Sequence, residues 1–426
     1  MNIKIHRGTK EIGGSCIELQ AENTRILLDF GIPLVDENKS EFNFKDYKTL
    51  SIPELIEKGI LPNIQGLYSE EENTVDAIFI THAHLDHYGF LQYVNKNIPV
   101  YLSKGTKELI EITKYFGGYT DNIEQYKIIS AWESVKIKDI SIIPYLVDHS
   151  AFDAFAYLIE AEGKRIFYTG DFRAHGRKKV LFENIINKPP KNIDYLLMEG
   201  SMIGRNNHKN KSEEELEVDL KDLLSVEDKL MFITCSSQNI DRLVSVYKAC
   251  YKSNRILVID PYTAYVLERL GKQSVLPQYD WNKYIRVFFA QSSRTSKLFE
   301  DRIAYKYASA KISIDEIIEN NEKVLIKDNY YIRNKLDKKD ILKDKTMIWS
   351  LWDGYLKEQQ EFFDDRNVKI IHAHVSGHAY VDDLKTFVEA LNPKNIIPIH
   401  TFNPKEYKKL FGNNIIELSD GISETL

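Results

Sequence analysis

The amino-acid sequence predicts an α/β protein, and three stretches of its 426 residues predict it. Residues 1 to about 200 read as short apolar strands with few helices. Residues 201–365 alternate strand with helix, the pattern of a parallel sheet. Residues 366–426 return to strand, helix and strand. The expected domain segments are therefore 1–200, 201–365 and 366–426. A hydrophobic content of 43% and a charged content of 28% suit a globular chain. No apolar run reaches the length of a membrane span, and Met1-Asn-Ile-Lys-Ile-His6 lacks the order of a signal peptide. Cys16, Cys235 and Cys250 are odd in number and far apart, which predicts a reducing cytoplasm and no disulfide framework. A net charge of −6 argues against polyanion binding by global charge, but not against binding through metal and local basic patches.

In the first stretch, strands are predicted at 16–19, 25–29, 75–80, 100–102, 140–147, 154–159, 165–169 and 195–198. Helices are predicted at 89–95 and 106–116. In the second stretch, the helix 212–224 opens with Ser212-Glu-Glu-Glu, a capping residue followed by acids in the first turn. A strand at 230–234 leads into a helix at 239–251, and a strand at 255–259 leads into one at 263–270. The end of the chain reads as strand 368–372, helix 381–391, strand 395–399, helix 404–411 and strand 414–418. The lysine-rich residues 335–345 read as a solvated surface.

Chemistry concentrates in Thr81-His-Ala-His-Leu-Asp-His87, directly after the apolar run Asp76-Ala-Ile-Phe-Ile80. The chain has 11 histidines, and three of them fall in this loop beside Asp86. His82 and His84 are two apart, so in extended backbone they point the same way. Three imidazoles and a carboxylate suit zinc, with iron or manganese as alternatives. More donors follow other strands: His149 after 140–147, Asp171 after 165–169 with Gly170 permitting a tight turn, and His400 after 395–399. Each could face a common rim. Together with His82, His84, Asp86 and His87 they make seven ligands, which fits two metals sharing a bridging carboxylate.

His-x-His-x-Asp-His, a later His, then Gly-Asp, then a late His resembles the pattern of metallo-β-lactamase-fold hydrolases. Glu11-Ile-Gly-Gly-Ser-Cys16 and Leu27-Leu-Asp-Phe-Gly31 resemble the N-terminal strands of that fold. The resemblance implies an αββα sandwich. It also implies that Asp29 orients a metal-bound imidazole; read from the residues alone, Asp29 is equally a turn residue before Gly31. His400 comes 229 positions after Asp171, and the α/β stretch between them resembles the β-CASP insertion domain of nucleic-acid-processing enzymes. Leu196-Leu-Met-Glu-Gly-Ser201 resembles the acidic motif of that group. Ser376-Gly-His-Ala379 and Pro398-Ile-His-Thr401 resemble its second and third histidine motifs. The resemblance covers essentially the whole chain and extends to ribonuclease J and the pre-mRNA 3′-end cleavage endonuclease. It implies two Zn2+, with Mn2+ or Fe2+ as alternatives. One ion would be held by His82, His84 and His149, the other by Asp86, His87 and His400, with Asp171 bridging. His378 would give a proton or touch phosphate, and Glu199 would hold His378. Asp86, His378 and Glu199 are the expected catalytic residues. Ser201 stands where Thr is common. The sequence stops 26 residues after His400 and has no Gly-Ser-Gln-Gly-Glu-Pro segment, which argues against a 5′-exonuclease. No RNA-binding domain is expected before the metal fold.

These residues predict a phosphodiesterase acting on single-stranded RNA. A hydroxide shared by two zinc ions would attack phosphorus, and His378 would protonate the leaving oxygen. The alternatives are a DNA nuclease, a hydrolase of a small phosphodiester signal, or an inactive scaffold of an RNA-processing complex. No membrane partner is expected, and a homodimer is an open alternative. Thr234-Cys-Ser-Ser-Gln-Asn-Ile-Asp-Arg242 joins a strand to a helix. Ser236, Ser237 and Arg242 there could grip phosphate, or Asn239 could simply cap the helix. Residues 283–311 hold seven Lys/Arg against two Asp/Glu, interleaved with aromatics. A single strand could stack there, but an amphipathic helix with a basic solvated face is the simpler reading. His175, His372 and His374 read as packing residues or supports to the ligands, and His6 as structural.

Overall fold

A computed structural model describes residues 1–35, 40–68, 74–121, 123–205, 211–227, 229–281, 283–290, 295–412 and 414–426. The chain divides into two compact units, residues 1–209 with 377–426, and residues 210–376. The units change at 209/210 and 376/377, later than the 200 and 365 expected from the strand and helix pattern. The reason lies in contacts beyond the strand ends. Ser201 Oγ donates to His400 O at 3.3 Å, Asn403 Nδ2 donates to Ile203 O at 2.7 Å, and Gly377 O accepts from His149.

The first unit is a sandwich of two sheets. One has the strand order Ser423–Thr425, Asn2–Arg7, Cys16–Gln20, Arg25–Leu28, Ala77–Phe79, Val100–Leu102 and Tyr126–Ile128. The other has the order Asn395–Ile399, Tyr195–Glu199, Lys164–Tyr168, Phe155–Ala161, Ile140–Leu146 and Val135–Ile137. Side chains alternate across each strand. Thus Ile3, Ile5, Ile17, Leu19, Phe79, Ile142, Ile159, Ile166 and Leu197 fill the space between the sheets. Leu196 and Met198 point the opposite way, into a second core with Phe182 and Ile185 of the helix Lys179–Asn187 and Phe387 and Leu391 of the helix Val381–Leu391.

Strand direction is what builds the rim. Ile140–Leu146 and Lys164–Tyr168 are each antiparallel to Phe155–Ala161 and so run the same way. Tyr195–Glu199 is parallel to Lys164–Tyr168, and Asn395–Ile399 is parallel to Tyr195–Glu199. All four carboxyl ends therefore emerge at one edge. In the other sheet Arg25–Leu28 and Ala77–Phe79 are also parallel.

The second unit carries one sheet in which every pairing is parallel. Its order is Lys311–Ile312, Ile285–Phe288, Ile256–Ile259, Val324–Lys327, Met231–Thr234, Thr346–Trp349 and Lys369–His372. Such strands are buried on both faces and need crossover helices. The helices Glu213–Val226, Ile240–Lys252 and Pro261–Leu270 start on side-chain caps at Ser212, Asn239 and Asp260.

Three expectations are corrected. Residues 414–418 do not form a strand; Ile415 makes one isolated bridge to Ile396. Ile396 bonds Asn414 O and Ile416 N, but the next residue facing that side is Pro398, which has no N–H to continue the ladder. Residues 283–311 are not one amphipathic helix either. The β-branched run Ile285–Phe288 is a strand, followed by the short helix Ser296–Glu300 and the 3-10 helix Ile303–Ala310. Ile285 and Val287 are buried in the sheet, and sheet packing overrides the charge pattern. Arg294, one of the seven cations, lies outside the described residues. The helix expected at 89–95 is a one-turn helix Leu85–Tyr88 followed by a 3-10 helix Gly89–Tyr93. Among the described residues no helix is long and apolar enough to cross a membrane.

Candidate metal centre

The rim brings the seven sequence-predicted donors together. His82, His84 and His149 form one group; Asp86, His87, Asp171 and His400 form a second; Asp171, Glu199 and His378 form a third. Within each group one ligand atom per residue lies within 4.8 Å of the others. His84 Nδ1 is 3.1 Å from His82 Nε2 and 3.2 Å from His149 Nε2. Asp171 Oδ2 lies between the first two groups, 3.8 Å from His82 Nε2, 3.1 Å from His87 Nε2 and 3.6 Å from His400 Nε2.

The other ring nitrogens are engaged in ways that free these. His149 Nδ1 donates to Gly377 O at 2.6 Å. A carbonyl only accepts, so His149 Nε2 keeps its lone pair. His87 Nδ1 donates to Asp29 Oδ2 at 2.8 Å, and Ser15 Oγ lies 3.0 Å from His400 Nδ1. Thr81 Oγ1 bonds Asp29 and lies 3.0 Å from His82 Nδ1. Such partners fix the tautomer and orientation of a metal-binding imidazole.

Asp29 is the hub of this arrangement. It is fully buried and accepts from Thr81 N at 2.7 Å, Tyr168 Oη at 2.6 Å and His87 Nδ1. Its φ of 58° is left-handed, as suits a turn residue before Gly31, and its carboxylate also holds the His87 ring through Nδ1. Two residues on, Gly31 allows close approach. A Cβ there would lie 1.6 Å from Asp86 O, because the backbone of 30–32 packs directly on the ligand-bearing turn.

Burial depresses the pKa of His82 and His149 well below the usual histidine range and that of His84 to about 4, and it lowers His400 as well. Burial thus favours the neutral form of each of these rings. Burial also works against charge on His87, but Asp171, Asp29 and Asp86 outweigh it and raise its pKa. Burial would raise Asp171, yet His400, His87 and His378 hold it well below the carboxylate range. Asp171 Oδ1 and His400 Nε2 are buried without a hydrogen-bond partner. Converging lone pairs with orphaned acceptors are costly in protein alone. They fit divalent cations, and nitrogen and oxygen donors suit zinc, manganese or iron.

His378, in the third group, stands beside the first two. Its Nδ1 is 3.1 Å from Glu199 Oε2 and 3.7 Å from Asp171 Oδ2, and 23% of its side chain is exposed. Burial opposes its charge, but Glu199 and Asp171 outweigh it and raise its pKa to about 9. Glu199 is fully buried and also accepts from Phe172 N at 3.0 Å.

The second unit treats its three expected residues differently. Arg242 is a correction: its guanidinium is fully buried, donating to Glu213 Oε1 at 2.9 Å and to Val375 O at 3.1 Å, and bonding Ser350 Oγ. It is committed inside the unit, because Glu213 buried without a cation would be far more costly. Ser237 Oγ pairs with Thr263 Oγ1 at 2.9 Å, while Ser236 is exposed. Asn239 Oδ1 accepts from Arg242 N at 3.1 Å, which is the capping alternative. His6, His175, His372 and His374 lie outside the three groups: His6 bonds Glu18, His175 stacks on Tyr380, His372 bonds Asp353 and His374 sits by Ser350 O. Sequence reading missed Thr81, Tyr168 and Ser15 as partners of Asp29 and the donor histidines. Thr81 could have been found, since it opens the histidine loop; Tyr168 and Ser15 carry no local signal.

A profile of the beta-lactamase superfamily domain matches residues 59–221, and one of the Zn-dependent metallo-hydrolase RNA specificity domain matches residues 365–403. Ribonuclease J of Methanocaldococcus jannaschii is 25% identical over 95% of this chain and 92% of its own length. Ribonuclease J of Mycoplasma genitalium is 22% identical over 92% of this chain. Transcription termination factor FttA of Methanothermobacter thermautotrophicus is 28% identical over 49% of this chain. The chain spans 33% of the length of that factor and 66% of the Mycoplasma enzyme. A crystal structure of a protein of unknown function from Enterococcus faecalis V583 shares the fold, with a TM-score of 0.79, 22% identity, and coverage of 100% of this chain and 99% of that one. The β-lactamase superfamily match takes in His82 to Glu199, and the Zn-dependent metallo-hydrolase RNA specificity match takes in His378 and His400.

Proposed function

We propose that this chain is a metal-dependent ribonuclease that hydrolyses phosphodiester bonds of single-stranded RNA. The observation that carries the reading is the pair of donor groups meeting at Asp171, with the partly exposed His378 beside it. The ribonuclease J relatives and the RNA specificity domain match support RNA as the substrate class. In this reading His82, His84 and His149 would hold one zinc ion, and Asp86, His87 and His400 would hold the other, with Asp171 available to both. When bound, such ions acidify water and neutralise phosphate charge. The protein residues supply the rest. Asp29, Thr81 and Gly377 O hold the rings in the tautomers that ligate. Glu199 holds the proton of His378 on Nδ1, leaving Nε2 for the substrate side. Against burial, Glu199 raises the pKa of His378, which suits the ring to carry a proton and give it to a leaving 3′-oxygen.

The test is cleavage of a 5′-labelled single-stranded RNA by zinc-loaded protein, beside a DNA of the same sequence, His378→Ala and a chelated sample. Internal RNA cuts lost in both controls are expected. Activity that survives chelation or Asp86→Ala, or cleavage of DNA alone, would overturn the reading.

A further inference from the structure

Asp148 and Arg173 form an ion pair with both side chains fully buried, Nε to Oδ1 3.3 Å. Asp148 directly precedes His149, and Arg173 follows Asp171 by two. The strands behind them, Ile140–Leu146 and Lys164–Tyr168, are not neighbours; Phe155–Ala161 lies between. Two strand spacings separate them, roughly 10 Å; each pairs with Phe155–Ala161 and not with the other, so no ladder bond joins the two loops directly. The ion pair and a backbone bond, Arg173 N to Asp148 O at 2.7 Å, span that gap. The loop is shaped to it. A Cβ on Gly176 would lie 2.2 Å from Asp148 Oδ1 and 2.4 Å from Arg173 Nε. Between Asp171 and Arg173, Phe172 N is tied to Glu199, the partner of His378.

A buried ion pair adds little net stability over apolar packing, so geometry is its better use. We infer that Asp148 and Arg173 are positioning residues that fix His149, in the first donor group, relative to Asp171, the carboxylate shared by both groups. This inference rests on the metal centre proposed above. Neither residue touches the reacting atoms.

The experiment compares wild type with Arg173→Met, Arg173→Lys and Asp148→Asn in the full chain. Zinc stoichiometry is measured by elemental analysis, zinc affinity by competition with a chromophoric chelator, and folding by thermal unfolding of the metal-free proteins. Arg173→Met and Asp148→Asn are expected to weaken zinc binding about 10- to 100-fold, the usual effect of losing a residue that orients ligands. Arg173→Lys should recover part of the loss, since lysine can still pair with Asp148 as a point charge. Asp148→Asn is nearly isosteric and carries the test if Arg173→Met does not fold. Variants that fold and bind zinc like wild type would overturn the inference, as would losses in affinity that only track lost metal-free stability. A wild-type protein that binds no zinc would instead overturn the metal centre itself.

Discussion

Asp29→Asn separates the two things Asp29 does. Asparagine tolerates the left-handed φ of 58° as well as aspartate does, so the turn is preserved. The carboxylate is lost. Asp29 Oδ1 accepts from Thr81 N, and Oδ2 accepts from Tyr168 Oη and His87 Nδ1. If the amide oxygen stays toward Thr81, the new NH2 faces two donors. Hydrogen bonds to a charged group are worth about 1.5–3 kcal/mol each, so two of them put about 3–6 kcal/mol at stake, less what Tyr168 regains by turning its hydroxyl. His87 then has no acceptor for a proton on Nδ1 and can keep one only on Nε2, the nitrogen 3.1 Å from Asp171 Oδ2. That tautomer cannot ligate. The expected outcome is a lower unfolding midpoint in the metal-free protein and zinc affinity weaker by about 10- to 100-fold. Urea titration followed by fluorescence and chelator competition would measure them. Stability within about 0.5 kcal/mol of wild type, with unchanged zinc affinity, would mean that Asp29 is a turn residue only.

Two further outcomes follow from other sites. Gly31→Ala would set a methyl 1.6 Å from Asp86 O where about 3.5 Å is needed, and both sides of the contact are backbone. It should cost about 3 kcal/mol or more and displace Asp86, read by thermal unfolding and zinc stoichiometry; a wild-type melting profile would refute the packing argument. Glu18 accepts from Arg25 Nε and Nη2 at 2.8 and 2.9 Å and lies 2.8 Å from His6 Nε2. Burial raises its pKa, but His6 and Arg25 outweigh burial and bring it from 4.5 down to about 2. Folded Glu18 thus binds its proton less tightly than the unfolded chain. Its stabilisation is complete above pH 4.5 and lost as pH falls through about 2. Glu18→Gln should be less stable than wild type at pH 6, the gap closing toward pH 2; a gap that does not change with pH would refute this.

The sequence by itself determined the elements and the donor types. The strands at Val100–Leu102 and Asn395–Ile399 and the helix Val381–Leu391 have the bounds read from it, because apolar runs between turn formers and an amphipathic stripe are local signals. His82, His84, Asp86 and His87 are legible for the same reason: they occupy one loop. His149, Asp171 and His400 could be picked out only as donors after strands. What places them at one point is the relative direction of Ile140–Leu146, Lys164–Tyr168 and Asn395–Ile399, and strand pairing joins residues too far apart in sequence for local pattern to record it. Tertiary structure also decided against local expectation. Pro398 ended the pairing at Ile415, sheet burial claimed Ile285 and Val287, and Glu213 claimed Arg242. Each outcome depends on which partner a side chain or an N–H meets in space, and only the folded chain sets that.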